Sequence, residues 1–285
     1  MLILFQPCFG LKIINITCYM IRKCNNNQLA EILGYIGEED YPQCLYLYLD
    51  LIKYGCSSET TQTWIQYENE SITAVVLAYH TALHIFSRNN VFDAREVRDL
   101  VKETNPTIIN ARANTIKLLE PLLTDLGFIS EFGHIGEWSG IVDNEDNNDV
   151  VKAEEKDIPE IATLLYEDED IGASYVFDDL LKQMKERLEQ GYVRSYVIRR
   201  DGKTVAHVGT GAEMNGVCTI AYTIISPMYR GQGMAGKLYR YACGHLKREG
   251  KRIFSIYYPD NARRFHNKVG FVDICECGKL FKTVE

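Results

Sequence analysis

Gly231, Gly233 and Gly236 lie between a run rich in β-formers, 217–225, and a run with helical spacing, Leu238, Tyr239, Ala242 and Leu246. A strand-to-helix turn of this composition is suited to holding an anion. Positions without a Cβ let the backbone take unusual φ values and come close to a ligand. The first turn of the following helix leaves amide N–H groups unpaired, and its dipole favours negative charge there. A pyrophosphate is the natural candidate. The P-loop pattern requires Lys and then Ser or Thr after its last glycine, whereas Gly236 is followed by Lys237 and Leu238. The dinucleotide pattern Gly-x-Gly-x-x-Gly is matched literally, but it needs an acidic residue about 20 positions on. The sequence offers Lys251-Arg252-Ile253-Phe254-Ser255 instead, so the Rossmann reading fails.

The stretch Pro227-Met228-Tyr229-Arg230-Gly231-Gln232-Gly233-Met234-Ala235 resembles motif A of the GNAT superfamily of acyl-CoA-dependent N-acyltransferases, Arg/Gln-x-x-Gly-x-Gly/Ala preceded by Pro-x-Tyr. A second signature of that family, an Asn, a short helix and Gly-Phe, is similar to Asn261 through Gly270-Phe271. The resemblance covers roughly 150–281 and implies acetyl-CoA as co-substrate, with no metal. It implies that Arg230, Gly231, Gln232, Gly233, Met234, Ala235 and Gly236 form the pyrophosphate loop, with Asn261 also at the CoA site. It further implies that Ile225 pairs with the pantetheine amide, where the family parts this strand from the next, 253–257. Arg240, Lys247, Arg248, Lys251, Arg252, Arg263 and Arg264 concentrate positive charge in the same region, which suits a ligand with three phosphates.

The reaction that the resemblance implies is direct attack of a neutral amine on a thioester, which needs positioning, proton removal and charge stabilisation. The family's acid, a Tyr four residues before Gly-Phe, is replaced here by His266, which could serve as acid or base. The family's usual Glu on the strand before motif A is missing from Cys218-Thr219-Ile220-Ala221-Tyr222-Thr223. Glu213, Tyr222 and His207 are the alternatives for the base. The run Tyr166-Glu167-Asp168-Glu169-Asp170 lies where the family walls its acceptor pocket, and its carboxylates could attract a cationic amine. The function expected is N-acetyl transfer from acetyl-CoA to a primary amine. The alternative is a sensor that binds CoA without turnover.

The rest of the chain must position this turn. Its 285 residues allow two modest domains, and 46% hydrophobic with 25% charged residues is ordinary for a globular protein. A net charge of −8 argues against nucleic acid as a partner, and no apolar run approaches the roughly 20 residues of a membrane span. Nine cysteines without framework spacing suit reduced thiols in a cytoplasm. The leader 1–19 is apolar but broken by Pro7, Gly10, Lys12 and Asn15, and it lacks the basic start of a secretory signal.

Periodicity predicts β, α, α, β, β, α, β, α, β over 20–142, with Ser71 to Ser87 as one strand. A similar order is predicted over 150–285, including a hairpin at Asp201-Gly202. Asp125-Leu126-Gly127-Phe128 and Lys268-Val269-Gly270-Phe271 would end corresponding helices. The expectation is therefore a mixed, mostly antiparallel α/β sheet flanked by helices, present as two GNAT-like units in tandem. The acidic run 143–149 would be the linker, and 150–285 the catalytic domain. The first unit is degenerate, since Arg88-Asn89-Asn90-Val91-Phe92-Asp93 stands where motif A should be and contains no glycine.

Overall fold

A computed structural model of the chain describes residues 19–142, 149–172, 175–214, 216–258 and 260–282. The leader, except for Tyr19, and the linker, except for Asp149, lie outside these residues. The first half runs β1 (Tyr19–Lys23), α1 (Leu29–Asp40), α2 (Leu45–Tyr54), β2 (Thr61–Glu68), β3 (Ser71–Tyr79), β4 (Ala82–Phe86), α3 (Ala94–Thr104), β5 (Ile108–Arg112), α4 (Ala113–Leu123) and β6 (Phe128–Trp138). The second runs β7 (Val150–Lys152), α5 (Ile158–Tyr166), the short α6 (Glu169–Gly172), α7 (Phe177–Glu189), β8 (Ser195–Arg200), β9 (Lys203–Met214), β10 (Val217–Ile225), α8 (Met234–Arg248), β11 (Arg252–Tyr257), α9 (Asp260–Lys268) and β12 (Phe271–Lys282).

Apart from α6, the two halves have the same element order. The match depends on one correction: Ser71 to Ser87 is two strands, because the chain turns at His80 with φ +50°. Both halves also make their second-to-third-strand hairpin through two consecutive residues at positive φ, Asn69-Glu70 and Asp201-Gly202. Such turns match the right-handed twist of the paired strands.

Among the described residues, 12 strands form one sheet in the order β1-β2-β3-β4-β5-β12-β6-β11-β10-β9-β8-β7. That order is symmetric about the β12–β6 pair. Within each half the fourth and fifth strands are parallel, β4 with β5 and β10 with β11. Each half then gives its last strand to the other: β12 pairs with β5, and β6 pairs with β11. The side chains follow. Trp138 of β6 is buried in the second half's core beside Val150, Leu238 and Phe271, and its Nε1–H donates to the Val269 carbonyl at 2.8 Å. Leu280 of β12 is buried among Val97, Ile116 and Leu123 of the first half. The residues on either side of 143–149 are therefore two topological repeats that share strands and core.

Helices cover both faces. α8 buries the stripe Met234, Leu238, Tyr239, Ala242, Cys243 and Leu246 against the second half's strands. That stripe fixes where the glycine turn at its N-terminus sits.

Candidate active site

The turn after β10 begins with a single 3₁₀ turn, Pro227–Tyr229. The chain then passes through Gly231 at φ +79° and Gly233 at φ +76°, where α8 starts. Both φ values lie in the left-handed region, which favours glycine. A Cβ added at either glycine meets nothing within 4 Å, so the corner is open. No side chain caps α8. Among the described residues, no acceptor engages the backbone amides of Gly231, Gln232, Gly233, Met234, Ala235 or Gly236. The corner thus presents a row of unpaired N–H donors at the positive end of a 15-residue helix.

The corresponding corner in the first half is closed. Asp93 caps α3 by accepting from the amides of Arg95 and Glu96, at 2.8 and 3.4 Å. The Arg88 guanidinium is turned away to Asp40, at 3.0 Å, and to the Tyr35 carbonyl, at 2.6 Å. A resident carboxylate occupies the space that an anion would need.

Beside the open corner the sheet parts. β10 and β11 are paired only from Val217–Arg252 to Ile220–Ser255, so 221–225 has no partner on the β11 side. A bulge between Ala221 and Ile224, with Tyr222 at φ +55°, bends β10 at the point of separation. The Ile225 carbonyl accepts from Arg230 Nε at 3.1 Å, and the same guanidinium reaches Asp168 at 3.1 Å. Arg230 therefore ties the strand end to the loop after α5.

His266 lies beneath this opening rather than in it. The residue is buried, and its ring stacks on Tyr257 with centroids 4.3 Å apart. Its Nδ1 is 2.8 Å from the Ala262 carbonyl and so carries the proton. The lone pair on Nε2 faces the hydroxyls of Tyr239 and Ser255, each at 3.0 Å. Tyr239 in turn accepts from Thr223, on the unpaired stretch of β10, at 2.9 Å. Burial lowers the His266 pKa, which favours the neutral ring, and its link to the parted strand runs through Tyr239. His266→Phe should therefore slow turnover about tenfold through the loosened Tyr239 while leaving the pH–rate profile at and above neutral pH unchanged. A wild-type inflection near 6.5 that disappears in the variant would show that His266 itself titrates in the reaction.

Of the alternatives for the base, two are engaged elsewhere. Glu213 is held by Arg194 at 2.5 Å and Lys251 at 3.0 Å, opposite Cys218. That is seven residues back along β10 from Ile225, or ~23 Å at strand rise. This carboxylate is a structural ion pair, remote from the turn. His207 is buried, with Nδ1 2.8 Å from the Tyr222 carbonyl and Nε2 2.9 Å from the Ser195 hydroxyl. Burial pushes its pKa down to about 4. Tyr222 lies at the opening, half-buried.

The predicted charge assignments change as well. Lys251 is paired with Glu213, Arg252 with Glu137, and Arg263 with Asp273, so these cations brace the fold. Arg240 is the basic residue beside the corner, its guanidinium 3.5 Å from a Cβ built on Gly236. Asn261 is exposed and its side chain accepts from the Ala262 amide. In the acidic run, Asp168 binds Arg230 and accepts from the Ile171 amide at 3.2 Å.

A cavity of about 40 Å³ lies between α5, α7 and the β8–β10 face, with Tyr222 in its wall. Among the described residues, no carboxylate of 166–170 lines it. The charged side chain that does is Arg187. Its guanidinium donates to the Gly211 carbonyl and lies 5.2 Å from the centre of the Tyr192 ring, and its Nε is buried without an acceptor. Behind it, from the first half, the buried Asp50 accepts from the Tyr192 hydroxyl at 2.7 Å. Burial pushes the Asp50 carboxyl up to about 7, against the pull of Tyr192 and Arg187. Sequence reading missed both residues, though signals existed. Asp50 is the lone charge in Leu45–Ile52, and Arg187 falls on the apolar stripe of α7 with Leu180 and Met184. Among the described residues, no group of three or more His, Cys, Asp or Glu side chains converges as metal ligands, and no helix is long and apolar enough to cross a membrane.

A mixed sheet parted at one parallel pair, beside an open glycine corner, is the architecture of the acyl-CoA N-acyltransferase fold. Solved structures share the overall fold across most of the chain. An acetyltransferase of the GNAT family from Colwellia psychrerythraea is 12% identical, with TM-score 0.58, covering 93% of this chain and 100% of its own. A Drosophila protein is 12% identical, with TM-score 0.64, covering 92% and 98%. A GCN5-related N-acetyltransferase from Sphaerobacter thermophilus is 13% identical, with TM-score 0.62, covering 93% and 95%. No curated protein matches the sequence. Residues 158–271 match the acetyltransferase (GNAT) family model, which is a family of acyltransferases.

Proposed function

We propose that this protein is an N-acetyltransferase that holds acetyl-CoA at the glycine corner and passes the acetyl group to a primary amine by direct attack. The observation that carries this reading is the row of unpaired amides from Gly231 to Gly236 beside the parted strands β10 and β11. The corner fits a pyrophosphate because it is open and positively polarised. The unpaired edge at 221–225 leaves backbone groups for an amide-bearing arm.

In the reaction the amine lone pair attacks the thioester carbon, the C–N bond forms and the C–S bond breaks. CoA departs as thiolate and is protonated, while the new ammonium loses one proton to solvent or to a base. The chain's part is to hold the two reactants together and exclude water. Thr223, half-buried on the parted strand, begins the Thr223–Tyr239–His266 chain, and its hydroxyl donates inward to Tyr239. Among the described residues we propose no carboxylate as the base. Tyr222 is the remaining ionisable group of the three considered, and an amine that enters already neutral needs only water.

A panel of amines assayed for free thiol release from acetyl-CoA tests the reading. At least one amine should raise release well above the amine-free rate, with N-acetylated product formed in equal amount. CoA binding with no amine-dependent release would make the protein a CoA-binding sensor instead.

A further inference from the structure

We infer that the acceptor is an amine that also carries a carboxylate, an amino acid in the broad sense, and that Arg187 is the residue that binds its carboxylate. This inference rests on the transferase reading above and names the substrate class of the same site.

The cavity against β8–β10 is the space next to the parted strands on the face opposite α8, and Tyr222 belongs to both. Its wall is mostly apolar, through Ile158, Leu165, Leu180, Met184 and Val193. Its one charged side chain among the described lining residues is Arg187. His207, also in the wall, is neutral at physiological pH, with its pKa near 4. Among the described lining residues an ammonium therefore meets a cation and no carboxylate. A polyamine is disfavoured there, and Asp168 of the acidic run is already paired with Arg230.

Arg187 is also incompletely satisfied. One terminal nitrogen donates to the Gly211 carbonyl, but Nε is buried with no acceptor. The guanidinium lines the cavity, and a carboxylate is the group whose geometry and charge match its fork. The cation is held in place whether or not substrate is present. Tyr192 lies under the guanidinium, and the first half supplies Asp50 and Tyr79 behind it. The first half, which lacks a CoA corner, thus helps build the acceptor wall. A cavity of about 40 Å³ holds only a few water-sized positions. That suits the carboxylate end of a small acceptor whose nitrogen reaches back toward Tyr222.

The test compares matched acceptors in the thiol-release assay with the intact chain: alanine against ethylamine, leucine against 3-methylbutylamine, and phenylalanine against 2-phenylethylamine. Each amino acid should exceed its decarboxylated partner in kcat/KM by about 10- to 100-fold, the range of one charge-assisted contact. In Arg187→Gln that ratio should collapse toward one, chiefly through KM. Arg187→Lys, which keeps the charge but not the fork, should fall between. The wild-type comparison stands even if Arg187 variants fold poorly. Release with the amines but not the amino acids, or an unchanged ratio in a folded Arg187→Gln protein, overturns this inference and leaves the transferase reading intact. No release with either series overturns both.

Discussion

Gly233→Asp should leave a folded protein whose affinity for CoA is lower by about 100-fold or more. Gly233 sits at φ +76° with open space around it, so the added Cβ clashes with nothing. Aspartate is among the residues that tolerate this region, which keeps the folding penalty near ~1 kcal/mol. The effect on binding is larger because the carboxylate would stand at the N-terminus of α8 with the free amides of Ala235 and Gly236 in reach. It would do in the second half what Asp93 does in the first, filling an anion site from within. Losing two charge-assisted bonds and adding like-charge repulsion amounts to ~3 kcal/mol or more. Gly233→Ala carries the strain without the charge and should lose about tenfold or less. Calorimetry reads both, and the closed corner of the first half predicts one CoA per chain. Unchanged affinity in Gly233→Asp would mean that CoA binds elsewhere.

The second large effect concerns the shared sheet. Residues 150–285 expressed alone should fail to fold, despite containing the whole GNAT signature. In that fragment β11 loses β6, and β12 loses both β5 and β6. Trp138 also disappears from the core around Leu238 and Phe271. Removing one such buried aromatic costs ~3–5 kcal/mol, a large part of the 5–15 kcal/mol that holds a typical protein folded. Co-expression with 19–142 should restore a soluble complex that binds CoA, and the intact chain should unfold in a single transition. Circular dichroism and thermal melts check this. An isolated 150–285 fragment that melts cooperatively at the full-chain temperature would contradict the exchange of strands.

What the sequence made legible follows from local physics. The glycine turn, the Asp201-Gly202 hairpin, α5 and β11 each carry their cause within a few residues, and each appears where expected. The degenerate corner was legible too, since the absence of glycine between β4 and α3 is a local fact. The break at His80 was not, because Tyr79-His80-Thr81 contains none of the residues that usually mark a turn. The strand exchange was beyond local patterns: nothing in 128–138 states whether its partner will be β5 or β11. The same limit explains the assignments that changed. Glu213 looks free in the sequence until Arg194 and Lys251, far off in the chain, are seen to hold it. Arg252 and Arg263 likewise read as phosphate ligands until Glu137 and Asp273 are placed beside them. Arg187 stands out in the sequence only as a charge on the apolar stripe of α7; that it lines the cavity follows from the packing of α7 on the sheet.

The most direct measurement is an NMR titration of ¹⁵N-glycine-labelled protein with CoA, with adenosine as the control ligand that lacks the pyrophosphate. If the unpaired amides hold the diphosphate, the signals of Gly231, Gly233 and Gly236 shift together and saturate with CoA but stay in place with adenosine. Saturable CoA binding that leaves those three signals unmoved would contradict the account at its centre.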